Sequence, residues 1–180
     1  MEEHIATNLY AAIVTATDSF QKPTTSPKTL ELAAKLLTQN ADKESVVQHL
    51  IKTKPLSLLK LSGRAYARLK YDEYGRIFWS LLRPLDFQDS GANIEDIGDV
   101  MHELEQNISG HNIAFLLYED MQKKYHVYLT IGKGLIKKRG EIKETLRATR
   151  KNGALAITIE ALSLEEAEEK TLTLIRTILP

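Results

Sequence analysis

Eight basic side chains fall between Lys133 and Lys151 against two acidic ones, Glu141 and Glu144, a local surplus of six positive charges. The rest of the chain offsets it, since 24 Lys and Arg face 24 Asp and Glu overall. A cationic cluster of this kind suits phosphate, and binding by it weakens steeply with salt because condensed counterions are released. Lys133, Lys137, Lys138, Arg139, Arg147, Arg150 and Lys151 are therefore candidate phosphate contacts, with Asn152 beside them as a polar donor. His126 lies just upstream and is the one histidine placed to join them. Base-stacking side chains are missing from the segment itself; Tyr125 and Tyr128 are the nearest. The alternative reading is a solvated connecting segment without a ligand.

Other chemistries find less support. No two of His4, His49, His102, His111 and His126 are spaced i, i+3 or i, i+4, so no helical metal-binding pair forms. The chain has no cysteine, which excludes disulfides, zinc–thiolate sites and thiol catalysis. A serine nucleophile motif is absent as well. With a net charge of zero the whole chain has no general pull toward nucleic acid or membrane. No apolar run approaches the roughly 20 residues of a membrane span. Met1-Glu2-Glu3-His4 lacks the positive-then-apolar order of a signal peptide. A cytoplasmic location is expected.

The elements that must position the basic segment are legible from periodicity. Leu9–Val14 is an apolar run that suits a buried strand or a buried helix end. A polar turn over Thr15–Thr25 leads to Ser26-Pro27, an N-cap followed by proline at the first helical position. Leu30, Ala33, Ala34 and Leu37 then form one helical stripe. Asp42 caps a second helix with Val46, Val47, Leu50 and Ile51 on one face, ended by Lys54-Pro55. A third helix is expected from about Pro55 to Lys70, with Leu58, Leu61, Ala65 and Leu69 inward. Tyr71–Gly75 reads as a domain boundary.

Beyond that turn, strands are expected over 76–82, 113–118, 125–131 and 154–161, the second and third as a hairpin. Trp79 sits inside the first of these and reads as core. Between them a short helical turn covers Asp86–Ser90, and Asn93 starts a helix carrying Ile97, Val100, Met101 and Leu104. Ser163 with Glu166 forms a capping box for a last helix that buries Ala167, Thr171, Leu174, Ile175 and Ile178. The expected class is α+β with an α/β-like character: an N-terminal helical connector region, then a small mixed sheet of about four to five strands flanked by helices.

The residues of Ile5–Leu37 add a family likeness. ATNLYAAIVTATDSF followed by TTSPKTLELAAKLL resembles the end of the catalytic domain of DHH-family phosphoesterases, the RecJ-like and nanoRNase/pAp-phosphatase group. That pattern reads roughly A-T-x-L-Y-x-G-I-x-T-D-T-G-S-F, then N-T-T-P-x-T-L-x-x-A-A-x-L. The resemblance implies residues 1–25 as the tail of a catalytic domain, 26–72 as a helical connector and 76–180 as a DHH-associated, substrate-holding domain. The family's Asp-rich and Asp-His-His motifs would precede what this chain contains.

Three departures matter. The family's metal-binding Asp falls on Ala16, which has no donor atom for a hard cation, while Asp18 is a lone carboxylate two residues on. The phosphate-binding arginine of the family's third strand falls on Thr130. The family's G-G-G-H turn is replaced by Ala148-Thr149-Arg150-Lys151-Asn152-Gly153, which keeps one glycine. The expectation is a substrate-holding part that binds a nucleotide or short RNA or DNA, holds no cofactor and does not hydrolyse on its own. Mn or Mg would enter only with an intact catalytic half. That half, or self-association, is the expected partner. The alternative is a non-catalytic interaction or regulatory module on the same scaffold.

Overall fold

In the first helix, α1 (Glu3–Ala16), the apolar run resolves as helix: Ala6, Tyr10 and Val14 are buried at a spacing of four. Four-residue spacing stacks side chains on one helical face. The stretch therefore has no open sheet edge. The computed structural model describes residues 2–151 and 153–179, without the side chains of residues 51 and 52.

The α1 face meets Ala33 and Leu36 of α2 (Pro27–Thr38) and, beyond it, Ala41 and Val46. Ser26 caps α2 as expected, accepting from the Thr29 N–H at 3.2 Å, with Pro27 at the first position. The buried stripe is rotated from the expected one: Leu30 and Leu37 are 50% and 37% exposed. Asp42 caps α3 (Lys43–Val47) through the Ser45 N–H at 2.9 Å, and a π-helical turn, Gln48–Lys52, follows. Val46 is buried but Leu50 is exposed, because the wider turn swings it off the inner face. Of that expected stripe, Ile51 has its side chain outside the described atoms. After α1, Asp18, Ser19 and Phe20 all have left-handed φ values (50°, 55° and 68°). The Thr17 hydroxyl holds this strained turn, donating to Ile13 O and accepting from the Phe20 N–H.

This helical unit ends at Lys54, and a second compact unit begins at Pro55. Its first helix is α4 (Leu56–Ala67), followed by β1 (Lys70–Tyr71) and β2 (Ile77–Leu82). Tyr71–Gly75 is thus the tight connection of an antiparallel pair inside the second unit, with Gly75 at φ +63°. Then come α5 (Pro84–Ser90), a 3₁₀ turn (Ile94–Asp96), α6 (Ile97–Asn107), β3 (Ile113–Glu119) and β4 (Tyr125–Ile131). A 3₁₀ turn (Lys133–Lys138), α7 (Arg139–Thr145), β5 (Thr149–Lys151), β6 (Ala154–Ile159) and α8 (Leu164–Arg176) complete it.

The strands form one six-stranded mixed sheet in the order β1-β2-β3-β4-β6-β5, with β2 and β3 parallel and every other pair antiparallel. Four of these strands are the expected ones. The two short, polar edge strands, β1 and β5, raise the total from the expected four or five.

Both faces of the sheet are covered, which is why β2 and β3 read as continuous apolar runs. Ile77, Trp79, Phe115, Leu117 and Val127 point to α7 and α8; Phe78, Leu82, Leu116 and Tyr128 point to α4, α5 and α6. Trp79 is core, stacked on Phe115 at 5.8 Å between centroids, and its indole N–H donates to Glu168 at 2.6 Å. The expected stripes of α4, α6 and α8 are buried or packed against these two cores. α8 is capped by Ser163, which accepts from the Glu166 N–H. The Glu166 carboxylate closes the box one residue early, on the Leu162 N–H at 2.8 Å.

Candidate functional site

On the face covered by α4–α6, the helices lie over β2, β3 and β4, and the β6–β5 edge stays open. Strand alternation decides what lines that edge. Thr149 pairs with Ala156 and Lys151 with Ala154, so Thr149 and Lys151 share one face with His126 and Thr158 of the neighbouring strands. Arg147, at φ +48° in the turn before β5, projects into the same space. The open cleft of about 740 Å³ at this edge is lined on that face by Tyr118, His126, Thr149, Lys151 and Thr158, with Arg147 beside them, and continues round the edge to Leu146, Ile157 and Leu174 of the α7–α8 side. Arg150 pairs with Leu155 and so falls on the other face.

His126 is fixed from two sides. Its Nε2 lies 2.9 Å from Asp120 Oδ2, and the Thr158 hydroxyl is 3.3 Å from Nδ1. Asp120 also accepts from the backbone N–H groups of Lys124 and Gln122. The Lys124 N–H first, then His126, hold its carboxyl below the usual carboxylate range. An ionised Asp120 orients the imidazole with Nε2–H toward itself, leaving Nδ1 toward the cleft and the Thr158 hydroxyl. His126 also stacks on Tyr118, with ring centroids 5.3 Å apart.

The candidate residues from sequence therefore separate. His126, Arg147 and Lys151 come together in this cleft. Lys133 lines a different cavity, between the start of β3 and the end of β4. Lys137, Lys138 and Arg139 lie on the 3₁₀ turn and the start of α7, and neither cavity is lined by them. Asn152 lies outside the described residues. Thr149 was not legible as lining this cleft, because β5 carries no apolar alternation to reveal its register, and Tyr118 and Thr158 lie on expected strands whose order in the sheet was not evident. Tyr125 and Tyr128 point to opposite cores and are buried, so neither offers a stacking face.

The donor set does not fit a two-metal centre. Ala16 closes α1 without a ligating atom, and Asp18 sits in the left-handed turn after it. Among the described residues, no group of three or more His, Asp or Glu side chains is arranged to hold a metal ion. Also among the described residues, no helix is long and apolar enough to cross a membrane. Thr130, at the position of the family's arginine, donates its hydroxyl to Glu105 Oε1 at 2.6 Å.

No family model matches the chain, and no curated protein matches it. Among solved structures, it is similar to an exopolyphosphatase-related protein from Bacteroides fragilis, with a TM-score of 0.74 and 16% identity over 96% of this chain and 49% of that one. A pGpG-specific phosphodiesterase, PggH from Vibrio cholerae, gives a TM-score of 0.45 and 10% identity over 83% of this chain and 51% of that one. The chain thus spans about half the length of each of these proteins. At this level of identity the first likeness concerns architecture alone: the chain shares its fold with about half of the exopolyphosphatase-related protein.

Proposed function

We propose that this chain is the substrate-holding part of a DHH-type phosphoesterase and binds a nucleotide or short oligonucleotide by its phosphates in the β5–β6 cleft. One observation carries the reading: His126 and the pair Arg147 and Lys151, apart in sequence, meet in one cleft with the Thr149 and Thr158 hydroxyls. Two exposed cations with hydroxyl groups beside them are a phosphate-binding set, and the imidazole, oriented by Asp120, positions the Thr158 hydroxyl. The likeness to half of an exopolyphosphatase-related protein supports the phosphoesterase context. Catalytic metal, Mn or Mg, would belong to a separate catalytic half, since Ala16 supplies no ligand.

The test is fluorescence anisotropy with labelled pAp and short RNA across a salt series. Arg147→Ala/Lys151→Ala is expected to weaken binding and to reduce the slope of log K against log salt by about 1.4, two phosphate contacts at roughly 0.7 each. Lys137→Ala/Lys138→Ala/Arg139→Ala is expected to leave affinity within about twofold, because those side chains lie outside the cleft. Mn-dependent hydrolysis of either ligand by the 180-residue chain is expected to be absent. Wild-type binding that does not respond to the cleft variant would remove this site.

A second reading is an interaction module, favoured by the apolar side chains that the helical unit leaves in water. Ile5, Leu9, Leu30, Leu32 and Leu37 are all more than a third exposed. A partner that covers them would be a catalytic half or a second copy. Sedimentation equilibrium is expected to show association that Leu30→Glu/Leu37→Glu weakens; a concentration-independent monomer mass would leave the first reading alone.

A further inference from the structure

The cavity that Lys133 lines is built around a carboxylate rather than a cation. It measures about 510 Å³, within the roughly 300–1,000 Å³ range of small-molecule sites. Glu105, near the end of α6, is 29% exposed at its side chain and reaches into it. Burial alone would push its carboxyl up. The nearby His111, the hydrogen bond from Thr130 and the more distant His102 hold it below the usual range instead. Both contacts fall on one oxygen: the Thr130 hydroxyl at 2.6 Å and His111 Nε2 at 3.6 Å reach Oε1. Oε2 has no protein donor among the described residues.

The opposite rim offers donors. None of the N–H groups of Ser109, Gly110 and His111 meets a backbone acceptor among the described residues, and all three residues line the cavity, Gly110 at φ +85°. His111 Nδ1 is buried without a partner. Ile108 and Ile131 supply apolar walls. A ligand that fits would therefore give N–H groups to Oε2 of Glu105 and take hydrogen bonds from the Ser109–Gly110 turn. At Glu105 the local charge is the reverse of what a phosphate needs.

We propose that this cavity reads a nucleobase edge with adjacent N–H donors, the guanine edge, through Glu105. Guanine places N1–H and the 2-amino group side by side toward a carboxylate and carries a carbonyl acceptor beside them. Adenine and cytosine each turn a ring-nitrogen acceptor toward the same carboxylate, which repels. The inference rests on the nucleotide reading only in choosing a nucleobase among N–H-donor ligands, and the cavity is separate from the β5–β6 cleft. His126 is the second residue of β4 and Gly132 follows its end, about 20 Å apart at the strand rise per residue.

The test uses nucleosides, which carry no phosphate. Amide NMR spectra of the 180-residue chain are recorded with guanosine, inosine and adenosine. Guanosine is expected to shift the amides of residues 105–112 and 132–134 saturably. Inosine, which lacks the 2-amino group, is expected to bind about tenfold more weakly or worse, and adenosine not to shift them. Glu105→Gln, which can still accept from Thr130, is expected to lose guanosine binding by a similar factor. Absence of localised shifts, equal binding of the three nucleosides, or an unchanged Glu105→Gln affinity would each overturn the proposal. Because inosine is compared on wild-type protein, the outcome does not depend on the variant folding. Arg147→Ala/Lys151→Ala is expected to leave guanosine binding intact, so failure of the phosphate cleft and failure of this cavity are separable.

Discussion

The Arg68→Ala variant is expected to lose about 3–4 kcal/mol of stability at pH 7, more than Asp86→Ala loses. Asp86 is 3% exposed and accepts from Arg68 through both carboxylate oxygens, Nη2 reaching Oδ1 at 2.9 Å. It also accepts from the Arg83 backbone N–H at 2.7 Å, which caps α5, and Arg64 Nε stands 3.9 Å away. Arg68 is the wetter partner, 39% exposed at its side chain. Removing Asp86 leaves a cation that can rehydrate; removing Arg68 leaves a buried anion. The asymmetry between the two variants follows from that difference in exposure.

The pH dependence gives the sign. Burial alone would raise the carboxyl of Asp86; Arg68, the Arg83 N–H and Arg64 together hold it below the ordinary carboxylate range. A depressed folded pKa contributes stability that is fully present above the unfolded value, about 3.9, and is lost as pH falls through the folded value. In Arg68→Ala burial is left opposed only by weaker partners, so Asp86 takes up a proton more readily and the deficit shrinks as pH is lowered toward 4. Urea unfolding followed by the fluorescence of Trp79, the one tryptophan and part of the second unit's core, measures both. An Arg68→Ala deficit that stays constant from pH 7 to pH 4 would contradict this account.

How far the chain could be read in advance depended on where each element buries its apolar side chains. α6 and α8 have one buried stripe each, so Ile97, Val100, Met101 and Leu104, or Ala167, Thr171 and Ile175, were evident from spacing alone. β3 and β4 were evident because their apolar side chains serve two cores. α1 is less plain: Leu9–Val14 is apolar on several sides, and only burial separates Tyr10 and Val14 from exposed Leu9. In α2 the leucines at 30 and 37 look like core, yet small Ala33 and adjacent Leu36 face α1, where close approach matters more than side-chain size.

The candidate cleft was only partly legible in the sequence. Charge density marked a segment, and the alternation of β5 divides it: Lys151 turns into the cleft and Arg150 away. Thr-Arg-Lys carries no apolar signal, so only its pairing with β6 gives the register. Glu105 and His111 were hidden for a different reason. They are close neighbours in space through the β3 start, and a carboxylate near a helix end gives no sign that a threonine from β4 will orient it.

Gly132→Ala tests whether the end of β4 is as tightly built as the cavity beside it requires. Gly132 has an ordinary φ of −66°, so conformational freedom is not what selects glycine there. Space is: a Cβ on this residue would stand 2.2 Å from the His111 carbonyl oxygen, 3.1 Å from its carbon and 3.2 Å from the Asn112 carbonyl oxygen. All three are backbone atoms, and that backbone is pinned, since the Asn112 N–H donates to Arg76 O and its carbonyl accepts from the Gly132 N–H, each at 2.8 Å. A side chain could swing aside; this backbone cannot without parting the end of β4 from β3, where Ile131 pairs with Ile113. Overpacking costs about 1–3 kcal/mol, and backbone atoms that cannot move put this substitution at the upper end. The expected result is a urea midpoint lowered accordingly, with amide exchange first accelerated at residues 111–113 and 130–135. By contrast Gly134→Ala would meet only the Asn112 side-chain oxygen at 3.1 Å, a neighbour that can turn, and is expected to cost under about 1 kcal/mol. Equal costs for the two substitutions would mean that the β3 start yields, and a cavity with yielding walls could not hold Glu105 and the Ser109–Gly110 turn at the fixed separation that reading a base edge demands.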